Sequence, residues 1–212
     1  GRFPAMLMDM TVKDFLAELA SKSPAPGGGS VSALAGSLSA ALISMVANLT
    51  TGNNDSGPNE DVDAALKKAA ELMKCLEEDV DADTAAFNRV MEAYRLPKET
   101  DQEKEKRSQA IQQALQGAAM HPLKVARQCL EVMRLCRWAV ASGNPNALSD
   151  AGVASLLAQS GINGALYNVD INLKGIKDPK FKAEMEIERD KLLEDARAIQ
   201  EEIQDYLRGR LS

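Results

Sequence analysis

Ser23-Pro24-Ala25-Pro26-Gly27-Gly28-Gly29-Ser30 runs directly into Val31–Leu49, and no charged residue occurs from Ser23 to Asn54. Pro24 and Pro26 fix φ and disfavour helix before them, the glycines permit unusual backbone angles, and Ser30 is a good N-cap. The junction therefore predicts a turn followed by a helix. Ala33/Ser37/Ala41 and Gly36/Ala40/Ser44 place small side chains four residues apart, so neighbouring backbones can approach closely. This is the expected central helix. Its length would also suit a bilayer, but Ser32, Ser37, Ser39, Ser44 and Asn48 are polar and no Lys/Arg cluster flanks it, which argues against a span. The glycine run is not a nucleotide signature either: it lacks the P-loop lysine and follows no strand. Chemistry alone leaves it as a turn or a binding site.

The remaining 180 or so residues offer ample core for one domain. Lys and Arg total 25 against 31 Asp and Glu, a net charge of −6, and no basic stripe offsets the repulsion of nucleic acid. Cys75, Cys129 and Cys136 are an odd number without CxxC spacing, and His121 is the single histidine. They predict a reduced, cytoplasmic protein with no metal site. Residues 1–6 read as a cloning remnant, since they lack the apolar core and processing site of a signal peptide. The fold is expected over 7–212.

Thr11-Val12-Lys13-Asp14 opens a short helix whose apolar side is Phe15, Leu16 and Leu19. After the central helix, residues 51–59 are dense in turn formers and read as a loop. From Asp61 to Tyr94 no Gly or Pro interrupts a stripe formed by Val62, Leu66, Ala69, Met73, Leu76, Val80, Asp83, Phe87, Val90 and Tyr94. Asp83 is the misfit: it shares a face with Val80 and Phe87, so its carboxylate is expected to point inward. Burying an unpaired carboxylate costs several kcal/mol, so it needs partners or a raised pKa, both common at functional sites. A structural bond to a helix N-terminus or a cation is the plainer alternative. Asp79 and Asp81 fall off the stripe and are expected to be solvated.

Leu96-Pro97-Lys98 ends that helix, and Thr100-Asp101-Gln102-Glu103 is a capping box for the next, with Glu103/Arg107 as an i,i+4 pair. Pro122 is expected to kink or break this helix, which resumes over 123–141. His121 beside it suits packing better than proton transfer. Lys98 is a candidate anion ligand or simply an exposed lysine. Ser149-Asp150 is expected to cap a helix in which Val153, Leu157, Ser160, Gly164, Tyr167, Asn168 and Ile171 share a face. Asn168 and Asn172 project from one side of it, to bind a heterocycle or to join helices. Phe181–Leu207 is a final charged amphipathic helix. The sum is an all-α, up-and-down bundle of about seven helices. Its uncharged and small-residue faces predict a homodimer.

Six stretches in order carry a resemblance. They are 23–30, Ser44-Met45-Val46-Ala47-Asn48-Leu49-Thr50, Asp81-Ala82-Asp83 followed by Ala86-Phe87, Leu96-Pro97-Lys98, Ser149-Asp150-Ala151-Gly152-Val153-Ala154 and Asn168-Val169-Asp170-Ile171-Asn172-Leu173. Together, over Thr11 to about Leu207, they resemble the cyclodeaminase/cyclohydrolase family, which includes the C-terminal domain of formiminotransferase-cyclodeaminase and stand-alone bacterial methenyltetrahydrofolate cyclohydrolases. The resemblance implies an all-helical homodimer acting on tetrahydrofolate one-carbon derivatives, with no cofactor beyond the folate. It implies Asp83, the second aspartate of its motif, as the catalytic residue. Pro26, Gly27, Gly28, Gly29, Ser30 and Asn168 are expected at the folate site, and Lys98 is added as a ligand for an anionic group. His121 departs from the family pattern, which has an apolar residue there. Hydrolysis of 5,10-methenyltetrahydrofolate is the first expectation, because no transferase segment accompanies these residues. Cyclodeamination of the formimino compound stays open, as does a non-enzymatic helical interaction module.

Overall fold

The computed structural model describes residues 6–51 and 59–211. Most of the expected 51–59 loop, and residues 1–5, lie outside them. Six α-helices follow a 3-10 turn at Leu7–Asp9: α1 Val12–Leu19, α2 Gly28–Thr51, α3 Glu60–Arg95, α4 Asp101–Ser142, α5 Leu148–Leu173 and α6 Pro179–Leu211. The all-α bundle is as expected, with six helices rather than seven. The difference is Pro122, which α4 passes through unbroken. Proline removes the amide that would bond the Ala118 carbonyl four residues back; Asn172 Nδ2 of α5 donates to that carbonyl at 3.1 Å instead. A contact between helices thus replaces the lost bond within one.

Local signals set most helix ends. Thr11 Oγ1 accepts from the Asp14 amide, Asn59 Oδ1 from Asp61 and Val62, and Thr100 and Glu103 form the reciprocal box at the start of α4. Glu103 is thereby occupied, and Arg107 donates to the Tyr94 carbonyl rather than pairing with Glu103. Two expected caps move. The glycines themselves form the first turn of α2, so Ser30 lies inside the helix, and α5 starts at Leu148 without a side-chain cap, after a 3-10 turn initiated by Asn144.

Sequential helices from α2 onward run antiparallel, and α4 packs on α2, α3, α5 and α6. Helix α2 is wedged between α3 and α5. By length and composition it could cross a membrane, yet Ala33, Ala40, Ile43, Val46 and Ala47 are fully buried in the bundle. Its hydroxyls are bonded: Ser39 Oγ donates to the Ala154 carbonyl at 2.6 Å, Ser37 to Met73, and Ser32 to Gly28 within the helix. Gly36 and Gly161 bring α2, α4 and α5 together, since a Cβ on either would lie 2.5 or 2.8 Å from Cys129 Sγ. That is closer than packed atoms allow, so only glycine permits this spacing.

Close packing also shifts the phase of α3. The residues it buries are Val62, Ala65, Ala69, Leu72, Leu76, Asp79, Val80, Ala86 and Ala93, whereas Met73, Phe87 and Val90 are half-buried and Tyr94 is exposed. Alanines, Val62, Leu72, Leu76 and Val80 share the deep face with Asp79, and Met73, Phe87 and Val90 flank it. The face read on α5 is likewise its outer one: Val153, Tyr167 and Ile171 are exposed, while Ala158, Ile162 and Ala165 enter the core.

Candidate active site

Asp83 meets the glycine junction at the N-terminus of α2. Ser30 is fully buried; its Oγ donates to the Val80 carbonyl at 2.8 Å and lies 3.4 Å from Asp83 Oδ2. The Ser30 backbone amide also bonds the carboxylate. First-turn amides have no partner within their helix and carry the positive end of its dipole, so a carboxylate is stabilised there. Gly29 is pressed against the same group: a Cβ would lie 2.5 Å from Asp83 Oδ2 and closer to Oδ1. The bond to a helix end is therefore present, but it does not complete the description. Asp83 remains half-buried, and burial pushes its carboxyl above the ordinary carboxylate range, opposed in part by His121 and by the Ser30 hydrogen bonds. A carboxyl raised in this way is a better proton acceptor.

Asn168 joins the junction from α5. Its Nδ2 would be 3.7 Å from a Cβ on Gly28 and donates to the Gly164 carbonyl at 2.8 Å. Thus Gly28, Gly29, Ser30, Asp83 and Asn168 come together from three helices. Pro26 is buried and Gly27 half-buried just ahead of α2. Asn172, one turn beyond Asn168, is committed to Ala118 and the Asn168 carbonyl. Lys98 stands apart, exposed beyond the C-terminal end of α3.

The acidic segment around Asp83 differs from its expected solvation. Asp79 is only 2% exposed. Lys124 Nζ lies 2.9 Å from its Oδ1 and His121 Nδ1 3.9 Å, and His121 Nε2 is 3.3 Å from its backbone carbonyl. Oδ2 of Asp79 is buried without a hydrogen-bond partner among the described residues. Asp81 accepts from the Leu7 and Met8 amides at 2.7 and 3.4 Å and so holds the N-terminal 3-10 turn on α3. The available signal for Asp79 was the run Ala65, Ala69, Leu72, Leu76, Asp79, which is as periodic as the stripe containing Met73 and Phe87 but poorer in large residues. His121, Lys124, Met120 and Phe181 line a cavity of about 480 Å³ between α4 and α6. Among the described residues no group of three or more His, Cys, Asp or Glu is placed to hold a metal. Burial raises the thiols of Cys129 and Cys136 to about 12, which leaves neither as a nucleophile.

A family profile described as formiminotransferase-cyclodeaminase matches residues 11–191. The chain belongs to this family. Within it, the chain is 41% identical to the methenyltetrahydrofolate cyclohydrolase of Methylorubrum extorquens over 95% of its own length and 98% of that protein. It is 35% identical to the formimidoyltransferase-cyclodeaminase of Mus musculus over 90% of this chain but 36% of that longer protein. A solved structure of formiminotetrahydrofolate cyclodeaminase from Thermotoga maritima superimposes with a TM-score of 0.83 at 27% identity, covering 96% of this chain and 98% of that one. The matched residues include both Asp83 and the glycine junction.

Proposed function

We propose that this protein is an enzyme of tetrahydrofolate one-carbon metabolism that hydrolyses 5,10-methenyltetrahydrofolate to 10-formyltetrahydrofolate, with Asp83 as its general base. The observation that carries the reading is the seat of Asp83: a carboxyl with raised proton affinity, held by Ser30 and covered by Gly29. Near-complete coverage of a stand-alone cyclohydrolase supports the choice of reaction. Water adds to the cationic methenyl carbon while Asp83 takes one of its protons. The bond from that carbon to N5 then breaks, N5 takes up a proton, and the formyl group stays on N10. Water is the only co-reactant, and one proton is released overall. The Asp83 charge, close to a cationic carbon, also favours the approach to the transition state. Gly28 and Asn168 offer an open backbone and an amide edge for the pterin ring.

The match to a cyclodeaminase over nearly all of both chains supports a second reading, in which N10 attacks a formimino carbon and ammonia departs. One assay separates the two. Loss of the methenyl absorption band, faster than in buffer, is expected for the hydrolase; no acceleration, together with ammonia release from formiminotetrahydrofolate, would transfer the assignment to the deaminase. Failure of both would return the interaction-module reading.

The functional unit in this proposal is a cytoplasmic homodimer. The neighbouring helices α2 and α5 leave Val31, Leu38, Met45 and Leu49, and Val153, Leu156, Tyr167 and Ile171, exposed. Apolar residues repeated along two adjacent helices are a common mark of association. Light scattering at micromolar concentration should return twice the chain mass; a monomer would remove this part of the proposal.

A further inference from the structure

His121, the single histidine of the chain, reaches from α4 onto the turn of α3 that carries Asp83. Its Nε2 lies 3.3 Å from the Asp79 backbone carbonyl, and in an α-helix that carbonyl accepts the amide four residues on, which is that of Asp83. The ring nitrogen is therefore within about 6 Å of the Asp83 backbone. Nδ1, on the other side of the ring, lies 3.9 Å from Asp79 Oδ1. Each nitrogen thus faces an acceptor, and an imidazole donates from both only when it carries two protons and a positive charge. The side chain is 13% exposed, so that charge is little screened by solvent.

Two carboxyl groups share this turn. Asp79 and Asp83 are four residues apart and so are neighbours on the helix surface, where like charges repel. Asp79 is almost fully buried and its Oδ2 has no hydrogen-bond partner among the described residues. Lys124 Nζ reaches its Oδ1 at 2.9 Å from an exposed position. Asp83 is raised by burial, and the charge of His121 opposes that rise. The two share no hydrogen bond among the described residues, so the ring acts on Asp83 through its charge. Other charged groups around the ring are engaged elsewhere. Arg127 of α4 donates to Glu188 of α6 at 2.6 Å, and Glu184 of α6, which lines the same cavity as His121, lies 3.9 Å from Lys180. On α5, Asp170 accepts from Arg189 at 2.6 Å, and α2 has no charged side chain. Asp79 and Asp83 are the carboxyl groups left to the ring.

We propose that His121 is a positioning residue of the base: seated on Asp79, it sets a positive charge against the α3 turn that carries both carboxyl groups, and so keeps Asp83 free to take a proton from water. It does not touch the reacting atoms and works through Asp83. The inference rests on the proposed activity, but its first test is independent of turnover. With aspartate labelled at the carboxyl carbon, NMR follows each carboxyl through its titration, and Asp83→Asn identifies the Asp83 signal. His121→Gln keeps a donor for the Asp79 carbonyl and removes the charge. The Asp83 midpoint should then rise by about 1 pH unit, the lower end of the range for a neighbouring opposite charge. His121→Lys returns the charge without the ring and should bring the midpoint most of the way back. An unchanged midpoint in His121→Gln, or one raised as far in His121→Lys, would overturn the inference.

The unmodified chain gives a second readout should either variant fail to fold. Its single imidazole should show ring signals that move as Asp83 titrates, and this movement should vanish in Asp83→Asn; no movement in the unmodified chain, or the same movement in Asp83→Asn, would also overturn the inference. In turnover of 5,10-methenyltetrahydrofolate, the acid limb of kcat/KM should shift upward in His121→Gln together with the Asp83 midpoint, a loss of about 10-fold below that limb for a shift of one unit. An acid limb that stays in place while the midpoint rises would remove His121 from the catalytic apparatus. A shifted carboxyl titration with no turnover in any form would instead refute the proposed activity and leave the coupling of His121 to Asp83 standing.

Discussion

Gly29→Ala offers the sharpest test of the contact between the glycine junction and Asp83. The new methyl would lie 2.5 Å from Oδ2 and nearer to Oδ1, where ordinary contact begins at 3.4 Å. The carboxylate must therefore retreat by about 1 Å. Retreat breaks its bonds to Ser30, and hydrogen bonds to a charged group contribute about 1.5–3 kcal/mol. Alanine recovers up to about 1 kcal/mol as a better helix former than glycine. A net loss of about 1–2 kcal/mol remains, read from urea unfolding. In an Asp83→Ala background the methyl meets no carboxylate, so Gly29→Ala should become neutral or stabilising. The four proteins then yield a coupling energy of about 2 kcal/mol. Turnover of Gly29→Ala should fall by about 10²-fold, the scale for a 1 Å misplacement of a catalytic group. The same stability penalty in both backgrounds, or full activity in Gly29→Ala, would refute the geometry.

Asp83→Asn should lower turnover by about 10²-fold or more, the scale for losing a general base. In the unmodified protein the rate should fall on the acid side with a midpoint above the ordinary carboxylate value of 3.8, because burial raises this carboxyl. Between 3.8 and the raised value the folded chain holds a proton that the unfolded chain has released, so this group's contribution to stability declines as pH rises through that window. Urea unfolding of Asp83→Asn across the same range should lack that decline. Asn172→Ala leaves the Ala118 carbonyl beside Pro122 without its donor and should cost about 1–3 kcal/mol in denaturant unfolding; an unchanged midpoint would show that α4 does not need the bond. Iodoacetamide at pH 8 should label the native chain once, at exposed Cys75, since Cys129 and Cys136 are buried with thiols raised to about 12. A second label by mass spectrometry would contradict the packing around Cys129.

Helix formation was legible in the chain because it rests on local chemistry. The Thr11 cap, the Thr100/Glu103 box and the proline-glycine entry before α2 each act within a few residues. The inward turn of Asp83 was legible for the same reason: it shares a helical face with Val80, and that relation holds in any packing. Tertiary structure decided which side of α3 lies deepest. Leu76 occupies the space that Gly36 leaves open on α2, and Asp79, three residues further along the same face of α3, is carried inward. Pro122 marks a lost hydrogen bond in the sequence, but its replacement comes from Asn172, 54 residues away from the bonded carbonyl. Likewise, the glycine junction, Asp83 and Asn168 meet only after antiparallel helices align residues distant in the chain. Periodicity determines which residues share a face; the shape and bonding needs of neighbouring helices determine what that face meets.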